Sequence, residues 1–303
     1  MWTQQKAVFA GSSLELYTYE KPIEYGYIAR KRSNVSPPIK EKNDEKTAEN
    51  RKTSTYRTKR QIKRLIYANA NQWFHESGEA FMPIFGTFTF ADNVKSLTEA
   101  NSKFERFIKR LNYRVTGSKK AVLKYINVVE FQKRGAVHYH TIFFNLPKLQ
   151  DIYELFDDTW GNGFTFNKSI KDINHLGNYV TKYLTKSDRD QRLDERKAYF
   201  CSRGLHKPNL IRDSWVVDAV RTLLQCDNSL EKESVACKDF VDSFGGKVRY
   251  ERFIVEPGKN FLKHLSTPKD LPASIAFARV WVTQTKLHKC ETNFLPVQVS
   301  LQY

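Results

Sequence analysis

Two histidines stand two residues apart in the stretch GAVHYHTIFFN, which covers residues 135–145. The chain holds only 7 histidines in 303 residues, and this run otherwise has the apolar composition of a buried strand. Residues two apart on a strand point to the same face. His138 and His140 are therefore predicted to lie side by side, where two imidazoles can supply two of the three protein ligands of a divalent cation.

A third ligand comes from the preceding strand if the hairpin has the right register. A three-residue loop over 133–135, with Gly135 in the left-handed conformation, would set Glu130 opposite His138 and on the same face. A two-residue loop would oppose Glu130 to Val137 and turn the carboxylate away. The metal site thus requires an odd loop length. The other interpretation is that both histidines are merely partly buried and hydrogen-bonded.

Two tyrosines repeat a pattern with lysine in NHLGNYVTKYLTK, residues 174–186, where Tyr179 precedes Lys182 and Tyr183 precedes Lys186. Residues four apart on a helix lie on one side, so both phenols project together. They could be boundary tyrosines that bury their rings and keep their hydroxyls in water. As nucleophiles they need nearby positive charge, because a phenol has a pKa near 10. A metal site and two lysines would provide it.

A basic amphipathic helix is predicted over residues 57–73, RTKRQIKRLIYANANQW. Its first turns carry Arg57, Lys59, Arg60, Lys63 and Arg64. Because all five residues are positively charged, contact with phosphate groups is favoured, although a solvated helix face would also explain these residues. Lys and Arg outnumber Asp and Glu by 50 to 33, a net charge of +17. Nucleic acid is the expected partner, ahead of a membrane surface, for which no amphipathic anchor is evident.

Composition excludes several classes of protein. The 4 cysteines lack C-x-x-C spacing, so we expect reduced thiols rather than disulfides or a zinc site. No apolar run approaches the roughly 20 residues of a membrane span, and the N-terminus lacks a signal-peptide pattern, so a cytoplasmic protein is expected. The stretch GGKVRY at 245–250 fails the phosphate-loop pattern, so no ATPase motor is predicted.

The elements that would position these residues alternate along the middle of the chain. FGTFTF (85–90) predicts a strand, and a capping box at Ser96 and Glu99 opens an amphipathic helix. The strand KYINVVEFQ, the histidine strand, a helix, the strand GFTFNKSI and the tyrosine helix follow. This order indicates an α+β domain with a largely antiparallel sheet covered by helices.

Four regions are expected along the whole chain. They are an N-terminal strand region at 1–30, a flexible linker at 31–56, the main domain with its basic helix at 57–205, and a C-terminal accessory region of unknown role at 206–303.

Three blocks in the same order, FGTFTF, HYH and YVTKYLTK, resemble motifs of the rolling-circle replication initiators of phages and plasmids. These initiators belong to the HUH endonuclease superfamily, and YVTKYLTK resembles the helical motif of its two-tyrosine members. The likeness covers roughly residues 80–190 and extends more loosely to the basic helix and to YFCSRGLHKP at 199–208. It implies a ferredoxin-like or RRM-like antiparallel sheet with flanking helices, here with N- and C-terminal extensions.

The resemblance also implies the role of each site residue. Glu130, His138 and His140 would bind Mg²⁺ or Mn²⁺; this preference comes from the family, because imidazole also binds softer metals. Tyr179 or Tyr183 would attack the scissile phosphate, release a 3′-hydroxyl and retain a 5′-phosphotyrosine.

Further residues would contact the DNA. Lys182 or Lys186 would steady phosphate oxygens, and Arg203 would contact a phosphate. Since the chain shows no helicase motif, a host helicase would open the duplex and a host polymerase would extend the 3′-hydroxyl. Two alternatives remain: a non-catalytic module that binds single-stranded nucleic acid by stacking and charge, and a relaxase or transposase of the same superfamily.

Overall fold

The described part of the chain folds as a mixed α+β structure with two antiparallel five-stranded sheets. The computed structural model describes residues 1–25, 44–147, 152–170, 177–178, 180–181, 197–226, 234–242 and 245–254. The chain divides into two compact units: the first holds residues 25–71 and 81–208, and the second holds 2–24, 72–80 and the residues from 209 onward. No helix among these described residues is long and apolar enough to cross a membrane.

The helices and strands are numbered in chain order. They are β1 (Trp2–Ala10), β2 (Ser13–Glu24), α1 (Asp44–Asn69), β3 (Ile84–Thr89), α2 (Leu97–Thr116), β4 (Tyr125–Phe131), β5 (Val137–Phe143), α3 (Ile152–Trp160), β6 (Thr165–Ser169), β7 (Tyr199–Cys201), β8 (Asn209–Ile211), α4 (Ser214–Cys226), β9 (Ser234–Val241) and β10 (Lys247–Ile254).

The sheet of the first unit has the strand order β6-β3-β5-β4-β7, and every neighbouring pair is antiparallel. Strands β3 to β6, with α2 and α3 between them, follow the β-α-β-β-α-β order of the ferredoxin-like motif. The predicted fold class is therefore confirmed, and the sheet is compatible with the fold of HUH endonucleases.

One face of this sheet packs against α2 and α3. Phe88, Phe104, Phe107, Tyr139 and Trp160 are central members of the cluster, each with no measurable exposure to solvent. The helix α2 begins where the sequence predicts, because the Ser96 side chain accepts a hydrogen bond from the Glu99 backbone N–H at 3.3 Å.

The second unit joins both ends of the described chain in one sheet, with the order β8-β1-β2-β10-β9. The helix α4 packs on one face, where Val217 and Val220 contact the cluster that contains Leu14 and Leu16. Tyr17 lies in the cluster on the opposite face. The sequence suggested separate N- and C-terminal regions, whereas β2 and β10 pair directly.

The linker predicted over residues 31–56 is helical in its second part. From Asp44 onward this range belongs to α1, which the sequence interpretation did not predict. Residues 31–43 lie outside the described part. The helical segment follows both prolines of the range, and about half of its residues are Glu, Lys, Ala or Arg, which are good helix formers. Polarity alone does not exclude an exposed helix.

Candidate metal centre on the sheet

The β4–β5 hairpin has the register on which the predicted metal site depends. Glu130 is paired with His138. The Gln132 N–H donates to the Ala136 carbonyl at 2.9 Å, and Gly135 closes the three-residue loop with a φ of 88°. Only glycine adopts this left-handed conformation without strain. The predicted odd loop length is thus confirmed.

This register brings Glu130, His138 and His140 together. One potential ligand atom from each residue lies within 4.8 Å of those of the other two. The Nε2 atom of His140 is 2.6 Å from Oε2 of Glu130, and the two histidine rings have their centroids 4.7 Å apart. One carboxylate and two imidazoles form a donor set that suits a divalent metal, so these residues fit the metal that the sequence predicts.

Two threonines on β3 hold the histidine rings from the other side. Thr89 pairs with His138 and Thr87 pairs with His140. The Thr89 Oγ1 atom lies 2.9 Å from Nε2 of His138, and the Thr87 Oγ1 atom lies 3.3 Å from Nδ1 of His140. Such hydrogen bonds fix ring orientation and tautomer in metal sites. The sequence interpretation missed both residues, although T-x-T in FGTFTF has the same spacing as H-x-H.

The tyrosine segment is described only in part. Tyr179, Lys182, Tyr183 and Lys186 lie outside the described residues. Their neighbours Gly177, Asn178, Val180 and Thr181 are helical. Val180 is fully buried, and the Thr181 hydroxyl donates to the Gly177 carbonyl at 2.8 Å.

The basic helix α1 packs against the start of this tyrosine segment. The Lys63 ammonium donates to Oδ1 of Asn178 at 2.6 Å. A Cβ atom added at Gly177 would lie 3.2 Å from the Tyr67 hydroxyl oxygen, so little room exists for a larger side chain. Helix α1 therefore brings the basic residue Lys63 beside the start of the segment that carries the predicted nucleophiles.

The other basic residues predicted to bind DNA are arranged as follows. Arg57 and Arg60 are exposed on α1, and Arg64 is half-buried. Arg203 is exposed after β7, where its backbone carbonyl accepts a hydrogen bond from the Lys124 ammonium at 2.9 Å. Their contact with DNA stays a prediction.

Three other tyrosines of this unit are poor nucleophiles. Burial raises the pKa of Tyr139, whose hydroxyl donates to Oδ1 of Asn101 at 2.6 Å. Burial, with a smaller contribution from the Glu105 carboxylate, raises the pKa of Tyr125 to about 12. Burial also raises the pKa of Tyr199. A raised pKa disfavours the phenolate, which makes these side chains less suited than an unshifted tyrosine to nucleophilic attack.

Residues 83–188 match a family model of replication-associated proteins, the ORF2 family. This region is similar to that family. The matched span, about a third of the chain, includes the strands β3 to β6, the three clustered side chains and the tyrosine segment. No curated protein and no solved structure matches the chain.

Proposed function

We propose that this protein is a rolling-circle replication initiator of the two-tyrosine type in the HUH endonuclease superfamily. It would nick single-stranded origin DNA and later rejoin the strands. The observation that carries the proposal is the group of Glu130, His138 and His140 on one face of a ferredoxin-like sheet, inside the segment similar to replication-associated proteins. We assign the nicking domain, with its basic helix, to residues 57–205.

The covalent step uses a tyrosine of this chain. The hydroxyl oxygen of Tyr179 or Tyr183 attacks the scissile phosphorus, and the bond from phosphorus to the 3′-oxygen breaks. The leaving 3′-oxygen takes a proton and becomes the primer for synthesis, while the 5′-phosphate stays on the tyrosine. After one circuit the second tyrosine cuts again, and the freed 3′-hydroxyl attacks the first phosphotyrosine to close the circle. Each step exchanges one phosphodiester for another, so joining needs no ATP.

The remaining site residues hold the phosphate and the DNA. Glu130, His138 and His140 would hold Mg²⁺ or Mn²⁺, which when bound polarises the scissile phosphate and offsets its charge. Lys182 and Lys186 would contact phosphate oxygens.

The basic residues of α1 would bind the backbone near the tyrosine segment, which is consistent with the contact between Lys63 and Asn178. Arg203 would add a phosphate contact. The partners would be a circular replicon, a host helicase and a host polymerase, all in the cytoplasm.

A denaturing gel tests this proposal. Labelled single-stranded DNA from the origin of the protein's own element is incubated with the full chain and Mn²⁺ or EDTA. We expect a Mn²⁺-dependent covalent adduct that persists in Tyr179→Phe and in Tyr183→Phe and disappears in the double variant. Tyr153→Phe is the matched control, because Tyr153 is an exposed tyrosine of α3.

Other outcomes favour the alternatives. Binding without an adduct, across fragments that span the origin, would replace the proposal with a non-catalytic single-strand binding protein. Cleavage restricted to hairpin ends of a mobile element would indicate a transposase.

A further inference from the structure

The edge strand β6 presents two aromatic rings on the face of the sheet that carries the metal cluster. Phe166 pairs with Thr87. Just before the strand, Phe164 exchanges two backbone hydrogen bonds with Thr89, at 2.9 and 3.1 Å. Directly paired residues share a face, so both rings point to the same side as the two threonines that contact the histidines. Lys168, two residues beyond Phe166, continues the row on this face.

These side chains are unusually open to solvent. Phe164 is 75% exposed and Phe166 is 59% exposed, whereas Phe85 and Phe88 on the neighbouring strand are 1% and 0% exposed. Lys168 is also exposed. Two adjacent exposed rings keep apolar surface in water, which is unfavourable unless that surface binds a partner. Aromatic side chains with nearby positive charge are typical of surfaces that bind single-stranded nucleic acid.

The start of β6 is held firmly in place. Gly163 has a φ of 147°, and a Cβ atom there would collide with the Thr89 carbonyl oxygen. The Thr165 hydroxyl donates to the Asp157 carboxylate of α3, on the other side of the strand. The close approach at Gly163 therefore fixes Phe164 beside Thr89.

The metal cluster is most accessible at its His138 end. Glu130 is 6% exposed and His140 is 2% exposed, while His138 and its partner Thr89 are only half-buried. Phe164 is paired with that same threonine. A polymer that reaches the cluster from solvent at this end passes the exposed ring.

We propose that Phe164 and Phe166 stack on unpaired bases of single-stranded DNA while Lys168 contacts a phosphate, so that the strand lies along β6 with its scissile phosphate at the cluster. The inference rests on the proposed function. Residues two apart on a strand are separated by about 7 Å, twice the ~3.4 Å stacking distance of bases, so a base has room between the rings. In a duplex the faces of the bases are already stacked on one another, so stacking on the two rings favours single-stranded DNA.

Fluorescence anisotropy tests this surface without cleavage. Labelled single-stranded origin DNA is titrated with the full chain in EDTA. We expect Phe164→Ala and Phe166→Ala each to weaken binding about 5- to 150-fold, the range that corresponds to base stacking on an aromatic ring. Lys168→Gln should weaken binding less and lower the dependence on salt by about one counterion.

Matched controls lie on α2, which covers the opposite face of the sheet. Tyr113 is 55% exposed, so Tyr113→Ala removes a comparable ring, and Lys109→Gln removes an exposed lysine. Both control variants should bind DNA like the wild type. Abasic nucleotides placed along the strand should weaken binding of the wild type at one or two positions and have no effect on the double phenylalanine variant.

The possible failures are distinguishable. If the wild type forms the covalent adduct but the double phenylalanine variant binds DNA unchanged, the stacking surface is overturned and the proposed function stands. If ring loss weakens binding but the wild type never forms an adduct, the nicking function falls and the surface stands. Equal weakening for duplex DNA would overturn base stacking, and a preference for RNA of the same sequence would overturn DNA as the occupant.

Discussion

The two faces of the β6-β3-β5-β4-β7 sheet use alternate residues of the same strands for different purposes. The face against α2 and α3 carries Phe88, Val129 and Tyr139 in the hydrophobic core. The opposite face carries their chain neighbours Thr87, Glu130 and His140 in a polar cluster. A shift of one residue in strand register would move the core residues to the site face and the site residues to the core face. The register that forms the core therefore also forms the site.

Because adjacent residues of a strand face opposite sides of the sheet, substitutions at adjacent positions should affect stability in one case and chemistry in the other. A change on the core face should reduce the free energy of unfolding, whereas a change at the half-buried or exposed residues of the site face, such as His138, should reduce metal binding or cleavage and leave the fold intact.

Phe88→Ala should reduce the free energy of unfolding by about 3–5 kcal/mol, because it leaves a cavity in a fully buried aromatic cluster. Chemical denaturation monitored by circular dichroism measures this loss. Phe166→Ala is the matched control, since it removes a ring that is 59% exposed on the other face and should cost less than about 0.5 kcal/mol. Similar losses for both variants would refute the separation.

His138→Ala should lower metal-dependent cleavage by about a hundredfold or more, because it removes one of three predicted ligands. The melting temperature should change little, since this side chain is only half-buried. The neighbouring Tyr139→Phe provides the opposite case: it removes a hydrogen bond to Asn101 and should cost about 1 kcal/mol of stability without affecting cleavage. A cleavage rate unchanged in His138→Ala would contradict the site.

The double variant Thr87→Val and Thr89→Val should weaken Mn²⁺ binding about 10- to 100-fold, because the rings lose the hydroxyls that orient them. Calorimetric titration measures the affinity independently of cleavage. Thr87→Ser with Thr89→Ser keeps both hydroxyls and should bind nearly as tightly as the wild type. An unchanged affinity in the valine variant would show that the threonines do not position the histidines.

Tyr125 should produce a small loss of stability confined to alkaline pH. Its pKa is raised to about 12 in the folded chain, above the ordinary value near 10, so folding favours the neutral phenol. The resulting stability is fully present below pH 10 and is lost as the pH rises toward 12. Tyr125→Phe should flatten this part of the stability curve, measured by thermal melts from pH 9 to 12. Parallel curves for both proteins would contradict the assignment.

Local patterns predicted much of the first unit. The capping residue Ser96, the hairpin loop at Gly135 and the pairing of Glu130 with His138 depend on neighbouring residues, and the structure has all three. The facing threonines were not predicted, because the pairing of β3 with β5 joins segments about fifty residues apart. Likewise GFTFNKSI was recognised as a strand, but only the sheet order shows that it is an edge strand beside the cluster.

The second unit was the least predictable from sequence. Its sheet pairs residues 13–19 with 248–254, and no local pattern indicates contact between segments so far apart in the chain. The helix over 44–56 was missed because its polar residues resemble those of a linker, although the segment contains Glu, Lys, Ala and Arg, which favour helices. The paired tyrosines stay a sequence prediction, because Tyr179 and Tyr183 lie outside the described residues.

The most direct test of the account is calorimetric titration of Mn²⁺ into the full chain and into Glu130→Gln, with Glu105→Gln as a control from the exposed surface of α2. We predict one Mn²⁺ ion per wild-type or control chain and at least a tenfold loss of affinity in Glu130→Gln, with circular dichroism showing that the metal-free variant is folded. Equal Mn²⁺ affinity in all three proteins would show that Glu130, His138 and His140 do not form the metal site.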